Sequence, residues 1–255
     1  MDLSNIEFFF FDIEDTLIKW NDTVLGAEDL IHTLEDKNKK IFFHTNNSLL
    51  TRKQLADKLS EMEINASKNQ ILTSTYVAAR YLKKNEVKSV YSIGEEGVLR
   101  ELQEQDISIR KESENIVVGL DRQFNYSKLS KIAAKDDPKI YVCGDEKYLN
   151  LEDEGIPGTR PINRAIEVYG ETELVGKPSQ HFIDVFRDYF SFMPDNSLFV
   201  GDRLSDIEVG NKLGMNTALL MSGTTSKAEL SEAESPQKPN VGISNLTRLT
   251  RKLNH

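Results

Sequence analysis

The stretch FFFFDIEDTL, Phe8 to Leu17, decides the fold. Four phenylalanines run without a break into Asp12, Glu14 and Asp15. An apolar run with no alternation reads as a strand covered on both faces, as in a parallel sheet. In open α/β sheets, ligands bind beyond the carboxyl ends of such strands. Carboxylates at this end therefore mark a cation or phosphate site at a strand tip.

The pattern repeats outward from there. Ile18 to Val24 carries Asn21-Asp22 between short apolar flanks, as in a small hairpin. Leu30, Ile31 and Leu34 have helical spacing, and KIFFHTNN is a second apolar strand ending on polar residues. Thr51 and Gln54 form a capping-box pattern ahead of Leu55, Leu59 and Met62, and QILTS reads as a third strand. Alternating strands and helices predict an α/β fold with a parallel sheet. In the middle, SVYSIG, NIVVGL and KIYVCG are strand-like runs, each with a glycine at its end or just before it, with polar linkers around KDDP and NLEDEGIPGT. This segment has the size of a separate small α/β layer of about 95 residues. The last third returns to the first pattern. Phe182, Val185, Phe186 and Tyr189 mark a helix, SLFVGDRLSD is a strand ending in Gly201-Asp202, and NTALLMSG is another strand. Ser205 and Glu208 read as a capping box, and Gly214 as a helix stop.

Composition narrows the partners. The net charge of −9 and a pI near 5.1 argue against nucleic acid or an anionic membrane as the main partner. Cys143 is the single cysteine, so no internal disulfide forms and a reducing, cytoplasmic setting is the expectation. The N-terminal apolar run is too short for a membrane span or a signal-peptide core. His32, His44, His181 and His255 show no metal-ligand spacing.

Four polar clusters follow strands or their loops: Asp12 to Thr16, Thr45-Asn46-Asn47, Gly176-Lys177-Pro178, and Gly201-Asp202 with Asp206. Each alone has an ordinary structural reading, since a strand-end Asp is often a helix cap and Gly-Lys-Pro a turn. Their order and shared placement are more specific. Asp12, Glu14, Asp202 and Asp206 would crowd negative charge into one crevice, which requires protonation or a shared cation. A hard divalent ion with oxygen ligands meets that need, and Mg²⁺ is the usual choice beside a phosphoryl group. Lys177 adds positive charge, and Thr45 with nearby amides can donate to phosphoryl oxygens. That is equipment for phosphoryl transfer.

In this order the clusters resemble the haloacid dehalogenase (HAD) superfamily of phosphohydrolases, whose first motif is D-x-D-x-T. TNNS, GLDRQFNYSKL, PGT, VGKPS and VGDRLSDI look like its NagD-like, para-nitrophenylphosphatase branch. The resemblance implies a Rossmann-like parallel-sheet core over 1–78 and 174–255, with an α/β cap over 79–173 inserted between the second and third motifs. It implies that Asp12 is the nucleophile and Glu14 the general acid and base. Thr45, Asn46 and Lys177 would hold the phosphoryl group. Mg²⁺ would be held by Asp12, the Glu14 carbonyl and Asp202, with Asp206 in support. The implied partner is a small phosphorylated metabolite, with no nucleic acid and no membrane, and relatives often pair as homodimers through their caps.

The chain departs from the pattern at two adjacent positions. Glu14 stands where the family usually has Asp, and Asp15 where this branch often has Gly. Asp tolerates φ > 0 better than most residues if the loop needs it. The cap reads Cys143-Gly144-Asp145-Glu146 where many relatives read Thr-Asn-x-Asp. Two readings stay open. One is a Mg²⁺-dependent phosphatase. The other is a weak or inactive member that binds a phosphorylated metabolite as a regulator.

Overall fold

A computed structural model of the protein describes residues 3–150 and 156–254. Positions 151–155 of the expected polar linker, and His255, lie outside the described residues. The chain divides into two compact units: Met1–Thr45, Lys53–Leu72 and Phe186–His255 form one, and Asn46–Arg52 with Thr73–Val185 the other.

The first unit is built on the opening strand. Phe8–Asp12 is buried along its whole length, which its unbroken hydrocarbon demands. It pairs in parallel with Lys40–Thr45 on one side and with Ser197–Gly201 on the other. The sheet runs Val241–Ile243, Asn216–Leu220, Ser197–Gly201, Phe8–Asp12, Lys40–Thr45, Ile71–Thr73. Successive strands go outward on one side of Phe8–Asp12 and then resume on its other side. The first strand is therefore the topological switch point, and Asp12 stands at its carboxyl end. Phe10 centres an aromatic cluster, with its ring centroid 5.0 Å from both Phe42 and Phe186, 5.5 Å from Phe190 and 5.6 Å from Phe192. The expected hairpin is present, with Ile18–Lys19 antiparallel to Asp22–Thr23. Trp20 sits at its turn with φ +57° and stays half-exposed.

The second unit holds a five-stranded sheet in the order Thr172–Leu174, Lys139–Val142, Asn115–Val118, Ser89–Ile93, Ser108–Ile109, each pair parallel. Side-chain alternation sorts its two faces. Val90, Val117 and Tyr141 pack with Ala78, Leu82, Val98 and Leu102. Ile93, Ile116, Val118 and Ile140 pack with Ile132, Ile162 and Ile166 on the opposite face. The 46–52 segment is tied into this unit by Arg52. Its Nε donates to Glu101 at 2.9 Å and its guanidinium lies 3.7 Å from the Tyr76 ring centroid.

One expectation is corrected. The capping box at Ser205 and Glu208 does not start the helix. Leu204–Lys212 begins two residues earlier than that box implies, and the Asp206 carboxylate accepts the Arg203 N–H at 3.0 Å. Asp206 reaches back from the third helical position, as a capping acid does. Among the described residues no helix is long and apolar enough to cross a membrane.

Candidate active site

Three buried groups meet at the tip of the central strand. Asp12 lies opposite His44 in the sheet register, and the two side chains approach with Oδ1 to Nδ1 at 3.8 Å. The His44 ring stacks on Phe199 at 4.0 Å. Asp206 joins them: one ligand atom from each of Asp12, His44 and Asp206 lies within 4.8 Å of the others, and all three residues are buried. Gly201 makes room for this. A Cβ there would stand 2.4 Å from both Cβ and Oδ2 of Asp206.

Asp202 is held differently. It is fully buried, its Oδ2 accepts the Thr224 N–H at 2.7 Å, and its carbonyl accepts the Thr225 N–H at 3.1 Å. Thr16 Oγ1 donates to Oδ1 at a long 3.5 Å. Gly223 passes so close that a Cβ would fall 2.2 Å from the Asp202 Cβ. Burial pushes the Asp202 carboxyl up to about 6, and the negative charge of Asp206 adds to this, while Arg203 and Thr224 pull the other way. Carboxylates kept this dry resist ionising together unless a cation joins them. The donor set fits a divalent metal, with carboxylate oxygens suited to a hard ion and the His44 imidazole adding a nitrogen. Asp202 is outside the closest threesome; His44 is in it, although its spacing gave no sign of a ligand.

Glu14 and Thr45 also meet in the first unit. Asp15 takes φ +59°, and its N–H bonds the Ile18 carbonyl at 2.8 Å. The Thr45 hydroxyl then donates to Glu14 Oε2 at 2.5 Å.

In the second unit, Asn46 and Lys177 come together, 131 residues apart in sequence. Asn46 Oδ1 accepts the Lys177 N–H at 2.8 Å, and Nδ2 donates to the Lys177 carbonyl at 3.2 Å and to Glu146 Oε1 at 2.8 Å. Asn47 serves its own loop, accepting the N–H groups of Leu49 and Leu50, each at 3.0 Å. Lys177 itself is buried.

Sequence reading named Thr16 and Glu146 without giving them a role, and missed His44 and the Gly223-Thr224 turn. The last carried a usable signal. Ser222 to Thr225 is a polar, glycine-bearing cluster just after the apolar strand Asn216–Leu220, the same arrangement that singled out Asp12 and Asp202.

Comparison with known proteins places the chain. A family described as haloacid dehalogenase-like hydrolase matches residues 9–108, and a HAD-hydrolase-like family matches 174–249. Phosphoglycolate phosphatase 1A of Arabidopsis thaliana is 28% identical over 277 residues, covering 96% of this chain and 76% of that protein. The structure of a 4-nitrophenylphosphatase from Thermotoga maritima superposes with a TM-score of 0.86 at 25% identity, covering 98% of each chain. NagD from E. coli shares the fold with a TM-score of 0.83 at 23% identity, covering 94% of this chain and 97% of its own. With its Rossmann-like core, its α/β cap and its strand-tip carboxylates, this chain belongs to the haloacid dehalogenase superfamily, in the NagD-like branch, and is a phosphohydrolase of that family.

Proposed function

We propose that this chain hydrolyses a small phosphomonoester through an aspartyl-phosphate on Asp12. An Asp12 carboxylate oxygen attacks phosphorus while the bond to the leaving oxygen breaks. Glu14 gives that oxygen its proton. Glu14, now ionised, takes a proton from water, which attacks the same phosphorus and frees Asp12 and inorganic phosphate. Thr45 and Lys177 hold the phosphoryl oxygens. Mg²⁺ is assigned to the Asp12 side chain, the Glu14 carbonyl and Asp202, with Asp206 in support. Bound there, the ion would offset negative charge on the transferring group. The residues 79–173 are assigned to the cap, with 1–78 and 174–255 as the core. The partner is a small phosphorylated metabolite rather than nucleic acid or membrane, in a cytoplasmic setting, and a second copy of the chain is assigned to the cap surface.

The observation that carries this reading is the Thr45–Glu14 hydrogen bond of 2.5 Å. It supports an acid–base group oriented beside the nucleophile's strand by the residue that opens the second motif. The expected result is hydrolysis of para-nitrophenyl phosphate that EDTA abolishes, and a loss of about 10³-fold or more for Asp12→Asn, the scale of a missing chemical step. No turnover of a broad phosphomonoester panel with Mg²⁺, Mn²⁺ or Co²⁺ would overturn it. The regulator reading rests on Glu14 standing in place of Asp. It expects Mg²⁺-dependent ester binding without turnover, and no strong rate restored by Glu14→Asp.

A further inference from the structure

Asn46 follows Thr45 and was expected to reach the phosphoryl group, but its carboxamide is engaged elsewhere. A side-chain amide has two N–H donors. Both have acceptors here, the Lys177 carbonyl at 3.2 Å and Glu146 Oε1 at 2.8 Å. Its oxygen takes the Lys177 N–H at 2.8 Å. One planar group therefore grips the N–H and the C=O of a single residue. That fixes φ and ψ at Lys177, and with them the direction in which its side chain leaves the backbone.

Glu146 sets the polarity of this grip. An ionised carboxylate only accepts, so the nitrogen end of Asn46 must face it and the oxygen end must face the Lys177 N–H. Two neighbours hold the arrangement. Ser74 Oγ donates to the main-chain carbonyl of Asn46 at 3.1 Å. At Gly176, a Cβ would come within 2.8 Å of Asn46 Oδ1 and 2.1 Å of the Cys143 carbonyl oxygen. We infer that Asn46 is a positioning residue that aims Lys177, and that Glu146 holds Asn46 in the orientation this requires. The consequence for catalysis rests on the phosphatase reading above; the placement of Lys177 does not.

The test has a ligand-free arm and a kinetic arm. In the first, limiting acetylation of the full chain by acetic anhydride is read lysine by lysine by mass spectrometry. Asn46→Ala should change the Lys177 rate about fivefold or more, the scale of a lost hydrogen bond, with the other lysines unchanged. An unchanged Lys177 rate overturns the inference whatever the enzyme does. In the second arm, Asn46→Ala should lower kcat on para-nitrophenyl phosphate by about 10- to 100-fold, the cost of a misplaced group. On a Lys177→Ala background the same change should cost less than about threefold, since its route is already gone. Costs that multiply would mean that Asn46 acts directly, and would overturn the inference. If Asn46→Ala unfolds, speeding every lysine, Asn46→Asp decides. It keeps the acceptor for the Lys177 N–H but sets a carboxylate against Glu146. Adding Glu146→Gln supplies a donor and should restore the native Lys177 rate; failure to restore it overturns the inference. If wild type turns over no ester, the phosphatase reading falls and the acetylation arm alone decides the placement of Lys177.

Discussion

Asp15 adopts φ +59°, so a left-handed turn, the conformation that favours Gly, is made here by a residue with a side chain. Asp pays less for this geometry than most residues because its short polar group can bond locally. Asp15→Ala should therefore lose about 1 kcal/mol in urea unfolding, and Asp15→Gly should stay within about 0.5 kcal/mol of wild type, as relief of strain offsets the looser unfolded chain. Gly223 is constrained by proximity instead. A methyl group there would lie 2.6 Å from Asp202 Oδ2, the oxygen that Thr224 holds. Gly223→Ala should weaken Mn²⁺ binding by calorimetry about 10- to 100-fold, as loss of a supporting contact to a metal site does. These two glycine-like demands differ in how readable they were. Asp15 follows a recognisable strand tip, so its turn could be anticipated. Gly223 matters through a residue 21 positions earlier, at Asp202, and no local pattern joins them. His44 was hidden for the same reason. Its partners Asp12 and Asp206 come from two other elements, so spacing along the chain carries no trace of them.

At the scale of elements, uninterrupted hydrocarbon was the most legible signal. Phe8–Asp12, Lys40–Thr45, Ser197–Gly201 and Asn216–Leu220 all read as buried strands, and all pair in parallel. Phe10 shows why the first of them dominates. It contacts rings from a neighbouring strand, from the helix Gln180–Tyr189 and from the segment just after it. Phe10→Ala should cost about 3–5 kcal/mol, because the rigid rings around it cannot collapse into the space. Guanidinium unfolding measures this, with Phe10→Leu as the milder companion. The start of the helix Leu204–Lys212 was less legible. Ser205 with Glu208 and Arg203 with Asp206 have the same three-residue offset, and only the fold tells which carboxylate turns back. Asp206 does so while also standing beside Asp12 and His44. A residue serving a helix end and a candidate metal site looks in sequence like either one alone.

At the scale of the whole molecule, sequence texture revealed a distinct middle layer but not that 46–52 belongs to the same unit. That membership comes from contacts distant in sequence, Arg52 with Glu101 and the Gly97 N–H with the Leu49 carbonyl. The single thiol reports on this second unit. Cys143 is fully buried, and burial, with a smaller push from the charge of Glu146, raises its pKa from 9.0 to about 12. At pH 8 only about one folded molecule in 10⁴ would carry the thiolate, the form that reacts. Iodoacetamide should therefore leave the native chain unmodified and label it as denaturant opens this unit. The sign of the stability effect follows. Unfolded, the thiol loses its proton near 9; folded, it keeps it until about 12. Between these values the unfolded state releases a proton that the folded state retains, so rising pH favours unfolding and falling pH removes the penalty. Wild type should lose about 1.4 kcal/mol relative to Cys143→Ala on going from pH 7 to pH 10, the linkage cost of one such group one unit above its unfolded pKa. The paired comparison cancels the tyrosines and lysines that titrate in the same range. A difference that stays flat from pH 7 to pH 10, or rapid alkylation of the native chain at pH 8, would mean that Cys143 meets solvent and that the second unit is open around it.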